Sequence, residues 1–203
     1  MTTPKKKEVS IDDRSRIYVI SIQIIFGVVI GVSLTNYNVE LVPITFSFEQ
    51  GMVLVAFSTV MASLVGYSIS VKARPHRNFS RFVIDLILLY FYFQLIYSPL
   101  QSFEYFLLWF PLIFGLYVLW QYLQAKEYKS ISAKNFRFSI GIFVSFVIIC
   151  VAYYFHPNKI QNLSIEVSKL DYEQAGVIEG VILGVVFSLV ILYRFLYYLT
   201  EKD

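Results

Sequence analysis

The sequence predicts an all-α integral membrane protein with six transmembrane helices and both termini in the cytoplasm. Two observations lead to this prediction: 57% of the 203 residues are hydrophobic and only 15% are charged, and the apolar residues are gathered in six long runs. A run of about 20 helical residues, rising 1.5 Å each, crosses a hydrocarbon layer of about 30 Å. Within lipid the backbone amides of each run must pair inside that run, which favours helices.

The first three runs each begin or end at a change in composition. Residues 17–35 contain no charged side chain and are too long for the apolar part of an ordinary signal peptide, so we expect a retained helix. Residues 51–70 follow the alternating apolar segment 44–48, for which we predict an extended conformation rather than a first helical turn. Residues 82–98 end where Pro99 would stop a helix.

The last three runs have the same length and character. Residues 105–124 contain Pro111, which predicts a bend, and Trp120, which is typical of an interfacial anchor. Residues 138–155 and 175–198 complete the six. We therefore expect one transmembrane domain, 17–198, between a basic tail, 1–16, and a short tail, 199–203. No connection is long enough for a separate soluble domain that catalyses a reaction or binds nucleotides or nucleic acid.

Basic residues alternate between the connections. Fifteen of the 17 lysines and arginines lie on one set of connections: before span 1, after span 2, after span 4 and at the end of span 6. Arg194 and Lys202 are counted together at the end of span 6. The positive-inside rule then predicts that both termini face the cytoplasm and that the protein is a multi-pass protein of the cell membrane. The net charge of +3 is the sum of a basic inner face and an acidic outer face, and it implies no nucleic-acid partner.

No group of residues indicates catalysis or metal binding, so we expect neither an enzyme nor a cofactor or metal site. The two histidines and the single cysteine, Cys150, are not at the spacing of metal ligands. The sequence also has no phosphate-binding glycine loop and no nucleophile motif.

Two carboxylates fall within the predicted spans, where an ionised side chain costs about 2.5–3.5 kcal/mol on insertion scales. Asp85 follows Arg81 by four residues on one face of helix 3, which predicts an ion pair near the cytoplasmic boundary or a functional carboxylate there. Glu179 lies about one turn inside span 6 from the outer end. It is either an interfacial side chain that reaches water or a second functional carboxylate.

Small residues recur at every fourth position on three helices. Such stripes let helices approach closely, so we expect these faces to pack, within the chain or between copies of it. The stripes are Gly27 and Gly31 on helix 1, Ser58, Ala62 and Gly66 on helix 2, and Gly176, Gly180 and Gly184 on helix 6.

Polar side chains within the spans are scarce, and we predict that one chain has little means of building a hydrophilic site or a water-filled passage. Any conducting path would then run between copies, lined by one helix from each. Helix 1 suits this role because a single amide lies on an otherwise apolar or small-residue face. That face consists of Ile20, Gln23, Ile24, Gly27, Ile30 and Leu34. A pore with such a lining is narrow and gates by dewetting.

Residues 16–99 resemble small prokaryotic relatives of the lysosomal potassium channel. Helix 1 of that family begins with an arginine that is followed, after three intervening residues, by Phe-Ser-Asp. Here Arg16 and Ser21 match this motif, whereas Ile20 and Ile22 replace the phenylalanine and the aspartate.

The resemblance implies six spans, a homotetramer and a potassium pore lined by helix 1. It also implies a polar network behind the pore helix that includes Arg16, Ser21 and Asp85, and the predicted pairing with Asp85 adds Arg81 to this network.

Two classes of function follow from the sequence. The first is a homo-oligomeric channel for monovalent cations such as potassium. The second is a non-conducting membrane subunit, a scaffold, assembly factor or stress and defence component, with a cytoplasmic protein partner docked on its basic face. A secondary transporter ranks lower because the middle of the spans carries almost no charge, and an intramembrane enzyme ranks last.

Overall fold

The computed structural model describes residues 11–37, 47–74, 79–128, 133–155 and 170–200. They form six α-helices joined by short connections. The helices are α1 (Ile11–Tyr37), α2 (Phe48–Ala73), α3 (Phe79–Tyr97), α4 (Phe103–Tyr128), α5 (Ala133–Phe155) and α6 (Leu170–Thr200), with a 3₁₀ turn (Ser98–Leu100) between α3 and α4. All six are long and apolar enough to cross a membrane. For the described residues, the predicted all-helical class is confirmed, and so is the presence of six helices long and apolar enough to span a membrane.

All six helices begin two to six residues before the predicted runs, and the starts of α1 and α2 show why. α1 begins at Ile11, so part of the predicted tail is helical, because a helix needs no apolar side chains to continue beyond the hydrocarbon layer. α2 begins at Phe48, where the Ser47 hydroxyl accepts a hydrogen bond from the backbone N–H of Gln50 at 3.2 Å and caps the helix. The predicted extended conformation is therefore wrong for Phe48, and residues 44–46 lie outside the described residues.

The two prolines of the central region behave differently. Pro99 lies in the 3₁₀ turn directly after α3, which confirms the predicted stop. Pro111 lies inside α4 without ending it.

The helices form a closed bundle around an aromatic core. α3 contacts α1, α2 and α4, and the contacts then run from α4 to α5, from α5 to α6 and from α6 back to α2. Four fully buried phenylalanines of α4 and α5 are among the large side chains of this core: Phe106, Phe110, Phe114 and Phe146. Their stacking supplies packing between these two helices without any polar group.

α1 is attached to this bundle by one narrow face. Ile22, Phe26, Val29 and Ser33 are buried at spacings of three and four residues, which is one side of a helix. Most other described side chains of α1 are exposed. The rest of its surface is therefore free to meet lipid or another chain.

Consecutive helices run in opposite directions, so the bundle has two distinct ends. At one end α1, α3 and α5 begin and α2, α4 and α6 end, as contacts such as Tyr18 on Phe82 and Ser139 with Tyr193 require. We call this the basic end, because lysines and arginines of the described helices, such as Arg16, Lys126 and Arg137, lie in the turns nearest to it. At the opposite end Phe48 and Tyr153 pack on Phe103.

Candidate functional site

Buried polar side chains from four helices meet around Arg194, inside the half of the bundle nearest the basic end. The Arg194 Nη2 donates a hydrogen bond to the Ser63 Oγ at 2.6 Å and another to the Tyr117 hydroxyl. The Tyr117 hydroxyl also contacts the Ser63 Oγ at 2.7 Å and the Tyr92 hydroxyl. These contacts join α2, α3, α4 and α6 through one cation.

Aromatic rings and a glycine accommodate this cation. The guanidinium carbon of Arg194 lies 4.8 Å from the ring centre of Tyr117 and 5.4 Å from that of Tyr193, within the range of cation–π attraction. A Cβ at Gly66 would lie 2.6 Å from the Arg194 Nη1, so any larger residue at this position requires the end of the arginine side chain to move. Within the described part of the chain, no carboxylate lies within ion-pair distance of Arg194.

Tyr193 extends the contacts to α5. Its hydroxyl accepts a hydrogen bond from the Gln121 Nε2 at 3.2 Å and a longer one from the Ser139 Oγ at 3.5 Å. All three side chains are buried. We refer to Arg194, Ser63, Tyr92, Tyr117 and Tyr193 as the Arg194 cluster.

A buried ion pair lies closer to the basic end. The Arg81 Nη1 lies 2.7 Å from the Glu127 Oε2, and the two side chains are 0% and 1% exposed. Arg81 also lies over the Trp120 ring, 4.5 Å from its centre. Trp120 is itself buried, so its predicted role as an interfacial anchor is wrong.

The structure corrects the predicted ion-pair partner of Arg81. Asp85 was the expected partner because it lies one turn along the same helix. Glu127 takes that place because α4 continues beyond the predicted span, to Tyr128, and brings its carboxylate back to α3. Asp85 is buried and hydrogen-bonds with the Tyr67 hydroxyl of α2.

The predicted polar network is assembled only in part. Arg81 and Asp85 are both buried, and their charges both lie near the Tyr67 hydroxyl. Arg16 is exposed and Ser21 is half-buried, and none of the contacts of the described residues joins either of them to Asp85. Their membership of the network remains a prediction from the resemblance.

An internal cavity of about 40 Å³ lies among these groups. Its lining includes Ser63, Tyr67, Asp85, Tyr92 and Arg194. A cavity of this size has room for more than one water. Most of its accessible surface is nevertheless apolar, and it is a small chamber and not a passage across the chain.

Sequence reasoning missed the Arg194 cluster for two reasons. Arg194 was counted with the basic end although it falls inside the predicted span 175–198, and the tyrosines were counted as apolar residues. Their hydroxyls supply most of the polar atoms of the cluster. A search for cations inside apolar runs would have found Arg194, because such residues are rare and usually functional.

The predicted pore-lining residues share a largely exposed face of α1. Ile20, Gln23, Ile24, Gly27 and Leu34 are exposed, and Ile30 is half-buried. Ile24 is 61% exposed. The Gln23 Nε2 donates to the Ser68 Oγ of α2 at 3.3 Å, which holds the amide beside the bundle. We call the five exposed residues the outer face of α1.

Only one of the three small-residue stripes faces another helix of the chain. Ser58, Ala62 and Gly66 line a groove between α2 and α6. A Cβ at any of four glycines in the other stripes would have nothing within 4 Å. These glycines are Gly27 and Gly31 on α1 and Gly180 and Gly184 on α6. The surroundings of Gly176 lie outside the described residues. Among the described residues, nothing packs on these open glycines.

The second predicted carboxylate, Glu179, lies at the end opposite to the basic end. It is half-buried and accepts a hydrogen bond from the Tyr153 hydroxyl at 3.0 Å. Its functional role stays a prediction. The Cys150 thiol is buried and contacts the Leu107 carbonyl oxygen at 3.3 Å, and the described residues include no group of three His, Cys, Asp or Glu side chains that could hold a metal ion.

Comparison with known proteins gives no relative from which to assign a function: no protein-family model, no curated protein and no solved structure matches this chain.

Proposed function

We propose that this protein is a homo-oligomeric membrane channel for monovalent cations such as potassium, a tetramer with α1 of each copy beside the central axis. The outer face of α1 is the observation that supports this proposal most strongly. It combines exposed Ile and Leu side chains with one amide, Gln23, and with Gly27, which has no neighbour. Gly31, one turn further along α1, is open as well. The two open glycines would allow α1 helices of neighbouring copies to approach closely.

The interior of one chain is unsuited to conducting cations. Its cavity of about 40 Å³ is too small for a continuous path across the bundle. A cation on such a path would also pass Arg194, whose charge no described carboxylate balances. Repulsion between like charges is strong where the surroundings exclude water. A path between copies avoids this barrier.

The lining of the proposed pore determines how it would work. Ile20, Ile24 and Leu34 would form hydrophobic constrictions that close by dewetting, and Gln23 would give one ring of amides. The acidic connections at the outer end would concentrate cations within about 8 Å at physiological salt. Potassium as the preferred ion comes from the family resemblance.

A reconstitution experiment tests this proposal. The purified protein is placed in liposomes, and potassium flux is measured for the wild type, Gln23→Trp and Val28→Trp. Val28 is a matched control because it is also exposed but lies about 140° around α1 from Gln23. We expect flux in the wild type and in Val28→Trp and its loss in Gln23→Trp. Equal flux in all three would contradict the pore assignment.

The alternative is a non-conducting subunit that docks a partner protein. The same outer face of α1 would then bind another membrane protein instead of its own copies. A wild type that is monomeric in several detergents and gives no flux would favour this alternative. A symmetric tetramer with flux would favour the channel.

A further inference from the structure

Two buried polar atoms on consecutive residues of α4 have no hydrogen-bond partner among the described residues. One is the indole Nε1–H of Trp120, which is a donor, and the other is the Oε1 of Gln121, which is an acceptor. The two side chains are only 6% and 8% exposed. Nearly all buried polar groups bind a protein group or an ordered water, because an unpaired one loses the hydrogen bonds that it makes in bulk water. These two atoms therefore indicate a binding site for a small polar ligand.

Both side chains line the internal cavity. The Gln121 Nε2 donates to the Tyr193 hydroxyl at 3.2 Å, which leaves the Oε1 of the same amide as the available acceptor. The Trp120 ring lies against Arg81, 4.5 Å from its guanidinium carbon. Neither side chain can turn away without losing one of these contacts. The cavity is therefore the place from which a ligand reaches both polar atoms.

The size and the charges of the cavity favour water as this ligand. Its volume of about 40 Å³ is about three times the roughly 10–15 Å³ that one water needs, so a much larger solute does not fit. Charged residues of both signs, Asp85 and Arg194, line it, so neither an isolated cation nor an isolated anion is favoured over a neutral molecule. Hydroxyl groups of Tyr67 and Ser70 in the lining offer further hydrogen bonds, of which a buried water makes two to four.

We infer that the internal cavity holds ordered water that accepts a hydrogen bond from the Trp120 Nε1–H and donates one to the Gln121 Oε1. This water also joins the hydrogen bond between Tyr67 and Asp85 to the Arg194 cluster, since both line the cavity. A water-mediated hydrogen bond is nearly as favourable in enthalpy as a direct one. The hydrated cavity thus connects α2, α3, α4 and α6, whether or not the protein conducts ions.

Contact between water and the Trp120 indole tests this inference in the full-length protein. Trp109 and Trp120 are the two tryptophans of the chain, so isotope labelling of the indole nitrogens gives two signals, and Trp120→Phe assigns them. In a lipid nanodisc, nuclear magnetic resonance then measures cross-relaxation from water protons to each indole proton. We expect a water cross-peak at Trp120 although this side chain is buried. A folded wild type without this cross-peak would overturn the inference.

Filling the cavity gives a second result. Leu88 lines the cavity, whereas Leu89, which is also buried and on the same helix, is outside its lining. Leu88→Phe should displace the water and abolish the cross-peak at Trp120, and Leu89→Phe should keep it. A cross-peak that persists in Leu88→Phe would overturn the inference, because the water would then lie elsewhere. Equal loss in both variants would do the same, because the signal would then report the packing of α3.

Xenon keeps the test decisive if Leu88→Phe does not fold. Most of the cavity surface is apolar, and a cavity that is dry and apolar binds xenon. For the wild type under xenon pressure, we expect no shift of the Trp120 indole signal, because water occupies the space. A xenon-dependent shift confined to the Trp120 signal would show a dry cavity and would overturn the inference.

Discussion

The Arg194 cluster and the outer face of α1 lie in the same bundle but satisfy their polar and packing requirements in opposite ways. In the cluster, hydroxyl groups and a guanidinium from four helices bind one another, and Gly66 leaves the space that the cation needs. On α1, the glycines have no neighbour and the apolar side chains are exposed. The difference suggests that the interior maintains the fold of one chain, whereas the outer face of α1 serves contacts with other molecules.

If this comparison is right, substitutions in the two regions have separable effects. Changes in the interior lower the stability of the chain. Changes on α1 leave that stability unchanged and alter assembly or flux.

The largest loss of stability is expected for Glu127→Ala. Removing this carboxylate leaves the buried guanidinium of Arg81 without its counter-ion, and breaking a buried pair in this way costs about 3–5 kcal/mol. Thermal unfolding in detergent, followed by circular dichroism, measures the loss. Glu104→Ala is the control, since Glu104 is an exposed carboxylate at the other end of α4. A Glu127→Ala protein as stable as the Glu104→Ala protein would show that the pair does not hold α3 to α4.

A smaller loss is expected for Gly66→Ala. The added Cβ would lie 2.6 Å from the Arg194 Nη1, so the guanidinium must move and its hydrogen bonds with Ser63 and Tyr117 weaken, at about 1 kcal/mol. Gly27→Ala adds the same methyl group where nothing lies within 4 Å, so it should not lower stability. The comparison fails if both variants unfold at the same temperature, because the close approach at Gly66 would then have no energetic consequence.

Tyr117→Phe tests the hydroxyl groups of the cluster. The substitution keeps the ring under the guanidinium and removes the hydroxyl, which both accepts and donates hydrogen bonds. We therefore expect the free energy of unfolding to fall by about 1 kcal/mol. Tyr122→Phe, at an exposed tyrosine of the same helix, should change stability by less than about 0.5 kcal/mol. Chemical denaturation in mixed micelles resolves the two. An equal effect of both would place the Tyr117 hydroxyl outside the stabilising contacts.

The smallest effect on folding and the largest on assembly are expected for Gly31→Leu. Its side chain would enter open space within one chain but would separate α1 helices that pack together. Unfolding should stay within about 0.5 kcal/mol of the wild type, while the oligomer measured by light scattering becomes smaller. An intact oligomer would mean that copies do not meet through this part of α1.

The spans were predictable from the sequence because they depend on length and apolarity alone. The boundaries of the spans were less predictable, because the polar first turns of α1 and the last turn of α4 carry no apolar signal. The last turn of α4 mattered most, since it holds Glu127, and its absence from the predicted span led to Asp85 as the expected partner of Arg81. Partners on other helices cannot be read from spacing along one helix.

The outer face of α1 was predictable from the sequence, whereas the Arg194 cluster in the interior was not. The face of α1 follows from helical periodicity, so its residues were identified together. The Arg194 cluster depends on which helices are neighbours, and α2, α3, α4 and α6 have no sequence signal for that arrangement. The role of a tyrosine inside an apolar run cannot be recognised from the sequence. Its ring packs like that of a phenylalanine, and only the neighbouring side chains decide whether its hydroxyl forms a hydrogen bond.

The most direct test of the central claim, that the outer face of α1 lines a pore between copies, is block of flux by a reagent at one introduced cysteine. The background is Cys150→Ala, which removes the single native cysteine. In it, Gln23→Cys and Val28→Cys are reconstituted, and potassium flux is measured before and after a positively charged methanethiosulfonate. The account predicts that the reagent blocks flux through Gln23→Cys and leaves Val28→Cys unchanged. Flux through Gln23→Cys that the reagent does not alter, with the thiol shown by mass spectrometry to be modified, would contradict it.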